Sequence, residues 1–187
     1  MSRTAETGTT RDRILAVSRD LFGTHSYGAT SMRQVADGVG ITKASLYHHF
    51  TSKAEILAEL VESPIAELGA AIEAAEQVTG LAARQQALLE GCVDAMLRHR
   101  ETMALLLRDA SVYGDQTLNT MERVVGFSHR AAAVLAGPRP SRRRRIRAAQ
   151  AFAAATDPIS QFADVPVDQL RRELLAGALA VLHADTP

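Results

Sequence analysis

T30-S-M-R-Q-V-A-D-G-V-G40-I-T-K-A-S-L-Y-H-H-F50-T-S-K53 reads as two short helices joined by a glycine turn. Ser31 is placed to cap the first helix, and Gln34 three residues on completes a capping box. Val35, Ala36 and Val39 give that helix one apolar face. Gly40 follows where a left-handed residue ends a helix at least cost, because it carries no Cβ. Thr42 caps the second helix, with Ile41 and Leu46 turned inward. The small Ala36 lets the two helices cross closely, as a helix-turn-helix requires. The second helix leaves Thr42, Lys43, Ser45, Tyr47 and His48 outside. A recognition helix sets such groups against base edges in the major groove. A surface hairpin with no partner satisfies the same pattern.

The surrounding pattern supplies a third helix. Thr9 or Thr10 opens it with Asp12 as capping partner, and Ile14, Val17, Leu21 and Phe22 recur at helical spacing. Gly23 to Gly28 is read as the break before the two-helix unit, with Phe50 closing a small three-helix core. A fourth helix starts at Thr51 or Ser52, where Ser52 and Glu55 form another capping box, and Ile56, Leu57 and Leu60 carry its apolar side. Pro64 either kinks or restarts that helix, since Ile65, Leu68 and Ile72 continue the pattern.

The string ITKASLYHHFTSKAEI closely resembles the recognition helix and following turn of the TetR family of bacterial transcription regulators. Leu46, Tyr47, His49, Phe50 and Lys53 occupy the places of its LYxHF-like segment and following lysine. The resemblance covers roughly residues 10–60. It implies an all-α chain of about nine helices, with a three-helix DNA-binding head followed by a helical ligand-binding and dimerisation part. The expected division is a disordered tail over 1–8, the head over 9–55 and the second part over 56–187. By resemblance, Thr30 and Ser31 would offer a helix N-terminus and hydroxyls to phosphate. Arg33 would meet a base or phosphate, and Lys43, Ala44 and Ser45 would face bases beside Thr42. Tyr47 and His48 would clamp the DNA backbone, and Lys53 would neutralise a phosphate. The fourth helix would link the two parts.

Beyond QVTGL at 77–81, helices are expected over 84–99, 101–112 and 117–135, with a break at Gly114 and Asp115. GPRP at 137–140 stops the third of these. Ser141 caps RRRRIRAAQAFAAAT, and a last helix after Pro166 carries Leu170, Leu174, Leu175, Leu179 and Leu182. These two final helices would pair with their copies in a dimer, by resemblance. An inducer pocket would lie among the fourth to eighth helices. The larger adaptable side chains there are Met96, Met103, Leu107, Met121, Phe127 and Phe152, with Tyr113, Arg100 or Arg108 as polar contacts to a largely apolar effector.

Composition bounds the alternatives. The 187 residues contain 21 basic and 21 acidic side chains, so binding to nucleic acid has to come from placement and not from total charge. From Arg11 to Leu60, Arg11, Arg13, Arg19, Arg33, Lys43 and Lys53 face five carboxylates, a balance of +1. Cys92 is the only cysteine, which excludes an internal disulfide and suits a packed thiol. No apolar stretch approaches membrane-spanning length and no leader opens the chain, so a soluble cytoplasmic protein is expected. Adjacent His48 and His49 diverge by about 100° on a helix and cannot share one ion, so no metal and no cofactor is expected. No nucleophile elbow, phosphate loop or HExxH pair supports an enzyme. An all-helical enzyme or carrier for an apolar metabolite, its site assembled from scattered residues, is the alternative to a homodimeric repressor that binds a palindromic operator and is released by a small effector. The Arg142–Arg145 run fits a solvated helix end better than a targeting patch.

Overall fold

Thr9 opens the first helix as its sequence requires: its hydroxyl accepts from Asp12 N, and the Asp12 carboxylate accepts from Thr9 N at 2.8 Å. A computed structural model describes residues 9–114 and 117–184, so the expected tail over 1–8 and Asp115 of the expected break lie outside the described residues. The described residues form nine α-helices in the order α1 (Thr10–His25), α2 (Met32–Val39), α3 (Lys43–His49), α4 (Lys53–Glu76), α5 (Leu81–Arg98), α6 (Arg100–Arg108), α7 (Leu118–Ala136), α8 (Arg142–Thr156) and α9 (Val167–His183). Short 3-10 turns follow α6 (Ala110–Val112) and α8 (Asp157–Ser160). Among the described residues there is no strand, and no helix is long and apolar enough to cross a membrane.

The first three helices close on Ile14, Phe22, Val35, Leu46 and Phe50, all at most 1% exposed. Tyr27 packs edge-on to Phe22, with ring centroids 5.2 Å apart. Here α1 runs on through Gly23 to His25. A single exposed glycine costs a helix only about 1 kcal/mol, which the packing of Phe22 covers.

α4 is continuous over 24 residues and passes through Pro64 without a break. The expected division between residues 55 and 56 therefore falls inside one helix that packs on both α1 and α5–α7. Its capping also differs by one position. Ser52 accepts from Glu55 N, but the Glu55 carboxylate reaches back to Thr51 N at 2.6 Å and Thr51 Oγ1 at 2.7 Å. The polar side of α4 is laced to its neighbours by Arg11–Glu59, Arg123–Glu62, Arg98–Glu67 and Arg130–Glu76 pairs. Such exposed pairs orient helices more than they stabilise them.

α8 and α9 pack closely along their length, and α5 lies against both. Ser141 caps α8 by accepting from Arg144 N. α6 ends at Arg108, four residues earlier than expected, because Asp109 leaves helical geometry and its side chain accepts from Ser111 N. Aspartate competes with the helix in this way wherever its short carboxylate reaches a nearby N–H.

Candidate nucleic-acid interface and ligand cavity

The two-helix unit is built by local rules. Ser31 and Gln34 form the reciprocal capping box, Gly40 adopts φ 77° and ψ 35°, and Gly40 N closes α2 onto Ala36 O. Thr42 Oγ1 accepts from Ser45 N to start α3. Leu46 is fully buried, which turns the opposite side of α3 outward. Thr42, Lys43, Ala44, Tyr47 and His48 are exposed and Ser45 is half-buried, so these six share one accessible surface at the start and outer face of α3. Lys43 Nζ lies 5.7 Å from the Tyr47 ring centroid. Arg33 stands clear of α2, its side chain 82% exposed and 3.7 Å from Asp37. Ser31 is exposed at the N-terminus of α2, with its hydroxyl donating to Gln34 Oε1 at 2.7 Å.

Two expected phosphate ligands point the other way. Thr30 is 2% exposed, and its hydroxyl donates to Ser26 O at 2.8 Å. Lys53 Nζ donates to the carbonyls of Tyr27 (2.5 Å), Gly28 (3.3 Å) and Thr30 (2.7 Å), and lies 4.4 Å from the Tyr27 ring centroid. Three donors meet three carbonyls, so the ammonium is satisfied inside the head. Burial lowers its pKa, against a smaller opposing pull from Asp109. The roles expected of Thr30 and Lys53 are thus corrected from phosphate contacts to supports of the turn before α2.

Other head cations are also structural. Arg11 donates to Glu59 and to His49 O (2.9 Å) and stacks 4.2 Å from the Phe50 ring, which fixes the C-terminal end of α3. Arg13 donates to Val39 O at 2.6 Å and closes α2. Arg19 lies 3.1 Å from Glu101 of α6. Of the six cations counted in the head, Arg33 and Lys43 lie on the outer surface of α2 and α3, and Arg13 is also exposed while it holds Val39 O.

A latch joins the head to the second part of the chain. Tyr27 N donates to Asp109 Oδ2 at 2.5 Å, and Gly28 N donates to Ser111 Oγ at 2.7 Å. Ser111 in turn donates to Asp109 Oδ1 from both its N (2.9 Å) and its Oγ (2.6 Å). A Cβ on Gly28 would stand 2.9 Å from Ser111 Cβ, so the approach requires glycine. Burial raises the Asp109 pKa, but the hydrogen bonds from Ser111 and Tyr27 and the charge of Lys53 outweigh it and leave the carboxyl below its usual value. The turn held in this way begins at Ser26, a non-glycine residue at φ 74°.

Beyond the latch, α4 to α8 line a cavity of about 290 Å³ that opens to solvent. Met96, Met103, Leu107, Tyr113, Phe127 and Phe152 line it as expected, joined by Leu68, Leu106, Val124, Ser128, His129, Ala132, Ala149, Ala153, Thr156 and Asp157. Phe127 and Phe152 meet at 5.8 Å. Three expected residues are placed elsewhere. Arg100 donates to Ala163 O and Arg108 to Ser160 O (3.2 Å), both away from the cavity. Met121 is buried in the core without reaching the cavity wall. One residue of error along a helix turns a side chain by about 100°, and periodicity alone does not fix which apolar residue borders a void. Among the described residues, no three His, Cys, Asp or Glu side chains gather where they could hold a metal ion.

Residues 14–60 match the model of bacterial regulatory proteins of the tetR family. Over 51 residues the head is 43% identical to the HTH-type transcriptional repressor KstR2 of Mycobacterium tuberculosis, covering 27% of this chain and 26% of that protein. It is 37% identical over 62 residues to the HTH-type transcriptional regulator AcrR of Shigella flexneri, covering 32% and 29%. The match therefore spans about a quarter of the length of these curated relatives. Over the whole chain, the fold superposes on AmtR of Mycobacterium smegmatis with a TM-score of 0.79 at 28% identity, covering 100% of this chain and 92% of that one. It also superposes on PfmR of Thermus thermophilus with a TM-score of 0.75 at 23% identity, covering 97% and 100%.

Proposed function

We propose that this chain, which belongs to the TetR family of bacterial regulatory proteins, is a homodimeric repressor that holds a palindromic operator with α3 and releases it when a small ligand fills the α4–α8 cavity. The observation that carries this reading is the latch. The cavity wall formed by Leu106, Leu107 and Tyr113 is continuous with Asp109 and Ser111, and these two hold the turn that leads into α2.

Arg33 on α2 and Lys43, Ala44 and Ser45 on α3 are the proposed base-facing residues, with Thr42, Tyr47, His48 and Ser31 toward the DNA backbone. An arginine paired to guanine and an alanine against a thymine methyl are contacts these side chains can make. Arg11 and Arg13 act behind them by holding α3 and α2 at their C-terminal ends. Ligand in the cavity would displace α6 and, through Leu68, α4. Only a ligand that binds one arrangement of the heads better than the other shifts the balance between them.

The dimer would form through α8 and α9. On α8, Ile146, Gln150 and Ala154 recur every four residues, and Ile146 is 52% exposed. On α9, Ala176, Gly177 and Ala180 are exposed and small, which lets helices approach closely. A Cβ at Gly177 would meet nothing within 4 Å in a single chain. Gly177→Arg should therefore leave the protomer folded while placing a cation in the proposed interface. Light scattering at micromolar concentration should find a dimer for the parent and a monomer for the variant. A variant that stays dimeric would move the interface away from α9.

A further inference from the structure

The cavity is lined mostly by apolar side chains, and the hydroxyls and the carboxylate among its lining residues present acceptors. Three hydroxyls border it, and each directs its proton to a carbonyl of its own neighbourhood. Tyr113 Oη donates to Leu106 O at 3.2 Å, Ser128 Oγ to Val124 O at 3.2 Å and Thr156 Oγ1 to Phe152 O at 2.9 Å, with Asp157 Oδ1 a longer second acceptor of Thr156 at 3.4 Å. What remains to face a ligand is oxygen lone pairs. Beside them lies Asp157, exposed to solvent at the cavity's edge, whose carboxylate is an acceptor when ionised. Asp157 is also the C-terminal cap of α8, with its N–H on Ala153 O, so the negative end of the helix dipole adds to the carboxylate.

Among the described residues, no lysine or arginine lines the cavity. His129 is its remaining polar side chain, and a neutral imidazole offers one donor and one acceptor. A fatty carboxylate or a phosphorylated thioester would find one imidazole against a carboxylate and a helix C-terminus. A cation finds the opposite, with the Phe127 and Phe152 rings at hand for cation–π contact.

We infer that the effector is an amphiphilic cation, a lipophilic amine or quaternary ammonium compound whose aliphatic or arylalkyl body fills the cavity while its charged head sits at Asp157. The inference deepens the regulatory reading above and rests on that cavity being the effector site. The body buries its apolar surface against Met96, Met103 and Phe152, and the head stays partly solvated beside the exposed Asp157. The recognition chemistry is thus a burial of apolar surface that sets affinity and an electrostatic choice that sets selectivity.

The test is calorimetric titration of the full chain at pH 8 with three probes of equal chain length, decyltrimethylammonium and decanoate below their micelle concentrations and decanol below its solubility limit. The ammonium should bind at least about tenfold more tightly than decanoate. Asp157→Asn should weaken the ammonium about three- to fivefold, as expected for a partly exposed charge pair, and leave decanol unchanged. Unchanged decanol affinity shows that the variant's cavity is intact. Decanoate binding as tightly as the ammonium, no ammonium binding, or an Asp157→Asn variant that keeps full ammonium affinity would overturn the inference. The titration contains no DNA. A protein that binds the ammonium but no palindrome keeps the ligand class assigned to the cavity and loses its role as effector, while one that binds the palindrome and prefers decanoate keeps the regulatory reading and loses the ligand class.

Discussion

Replacing Asp109 by alanine removes the centre of the latch. The carboxylate accepts from Tyr27 N, Ser111 N and Ser111 Oγ at 2.5–2.9 Å. Hydrogen bonds to a charged group contribute about 1.5–3 kcal/mol where they are buried. Asp109 is half-buried, so solvent screening brings the expected loss to about 1–2 kcal/mol. For a chain of this size that corresponds to a fall in Tm of roughly 3–6 °C. Ser111→Ala removes the acceptor of Gly28 N and should cost about 1 kcal/mol. Because Ser111 Oγ bridges Asp109 and Gly28, the double variant should lose less than the sum, with a coupling of at least about 0.5 kcal/mol. Denaturant midpoints at pH 7 give all four corners of the cycle. Acidification supplies the sign. The Asp109 carboxyl is held below its unfolded pKa, so its contribution is full above about pH 4 and is lost as pH falls through the lower folded value. The gap between parent and Asp109→Ala should therefore close in acid. In DNA release assays the variant should also need more effector, since the proposed path from cavity to head runs through the latch. Full parental stability with strictly additive single effects would refute the latch.

Three further outcomes follow from single positions. Gly40→Ala should destabilise the head by about 1–2 kcal/mol, because no atom lies within 4 Å of the new Cβ and the whole cost is the left-handed backbone at φ 77°; a neutral result in thermal melts would mean that the turn relaxes freely. Arg33→Ala should weaken operator binding by about 1–3 kcal/mol and relax the preference at one base position, read by competition among operator variants; equal affinity and selectivity would remove Arg33 from the contact surface. Cys92 is 1% exposed, and burial pushes its thiol up to about 12. It should react with a thiol reagent only at the rate of unfolding, and fast labelling of the native protein would contradict the packing described.

The head was legible where a rule acts over three or four residues. Thr9 with Asp12, Ser31 with Gln34, the left-handed Gly40 and the Thr42 cap are each decided by neighbours in the chain, and all four form as read. The exposed side of α3 followed from burying Leu46. What could not be read depends on distant partners. Thr30 looks like a surface polar residue until its hydroxyl closes the turn onto Ser26 O, and Lys53 does until the carbonyls of that turn gather on its ammonium. Arg11 looks like a DNA cation until α4 brings Glu59 to it across 48 residues. The latch joins Tyr27 to Asp109 across 82 residues, and no local pattern marks it. The cavity was legible as a region and in six of its lining residues, while Arg100, Arg108 and Met121 were misplaced because helical period fixes spacing but not the azimuth of a void. Gly28, read as part of a break, has its reason in Ser111, which only the fold supplies.

The proposed regulatory role depends on α3 reading DNA. The most direct measurement is fluorescence anisotropy of the parent and Lys43→Ala on the DNA flanking the protein's own gene, with a scrambled duplex as control, over a salt series. Sequence-selective binding is expected, weakening linearly with salt on a log–log plot. Lys43→Ala, which removes a proposed base-facing cation, should weaken binding to the flanking DNA more than binding to the scrambled duplex. Equal affinity for flanking and scrambled DNA at every salt concentration, unchanged by Lys43→Ala, would contradict a DNA-reading role for α3.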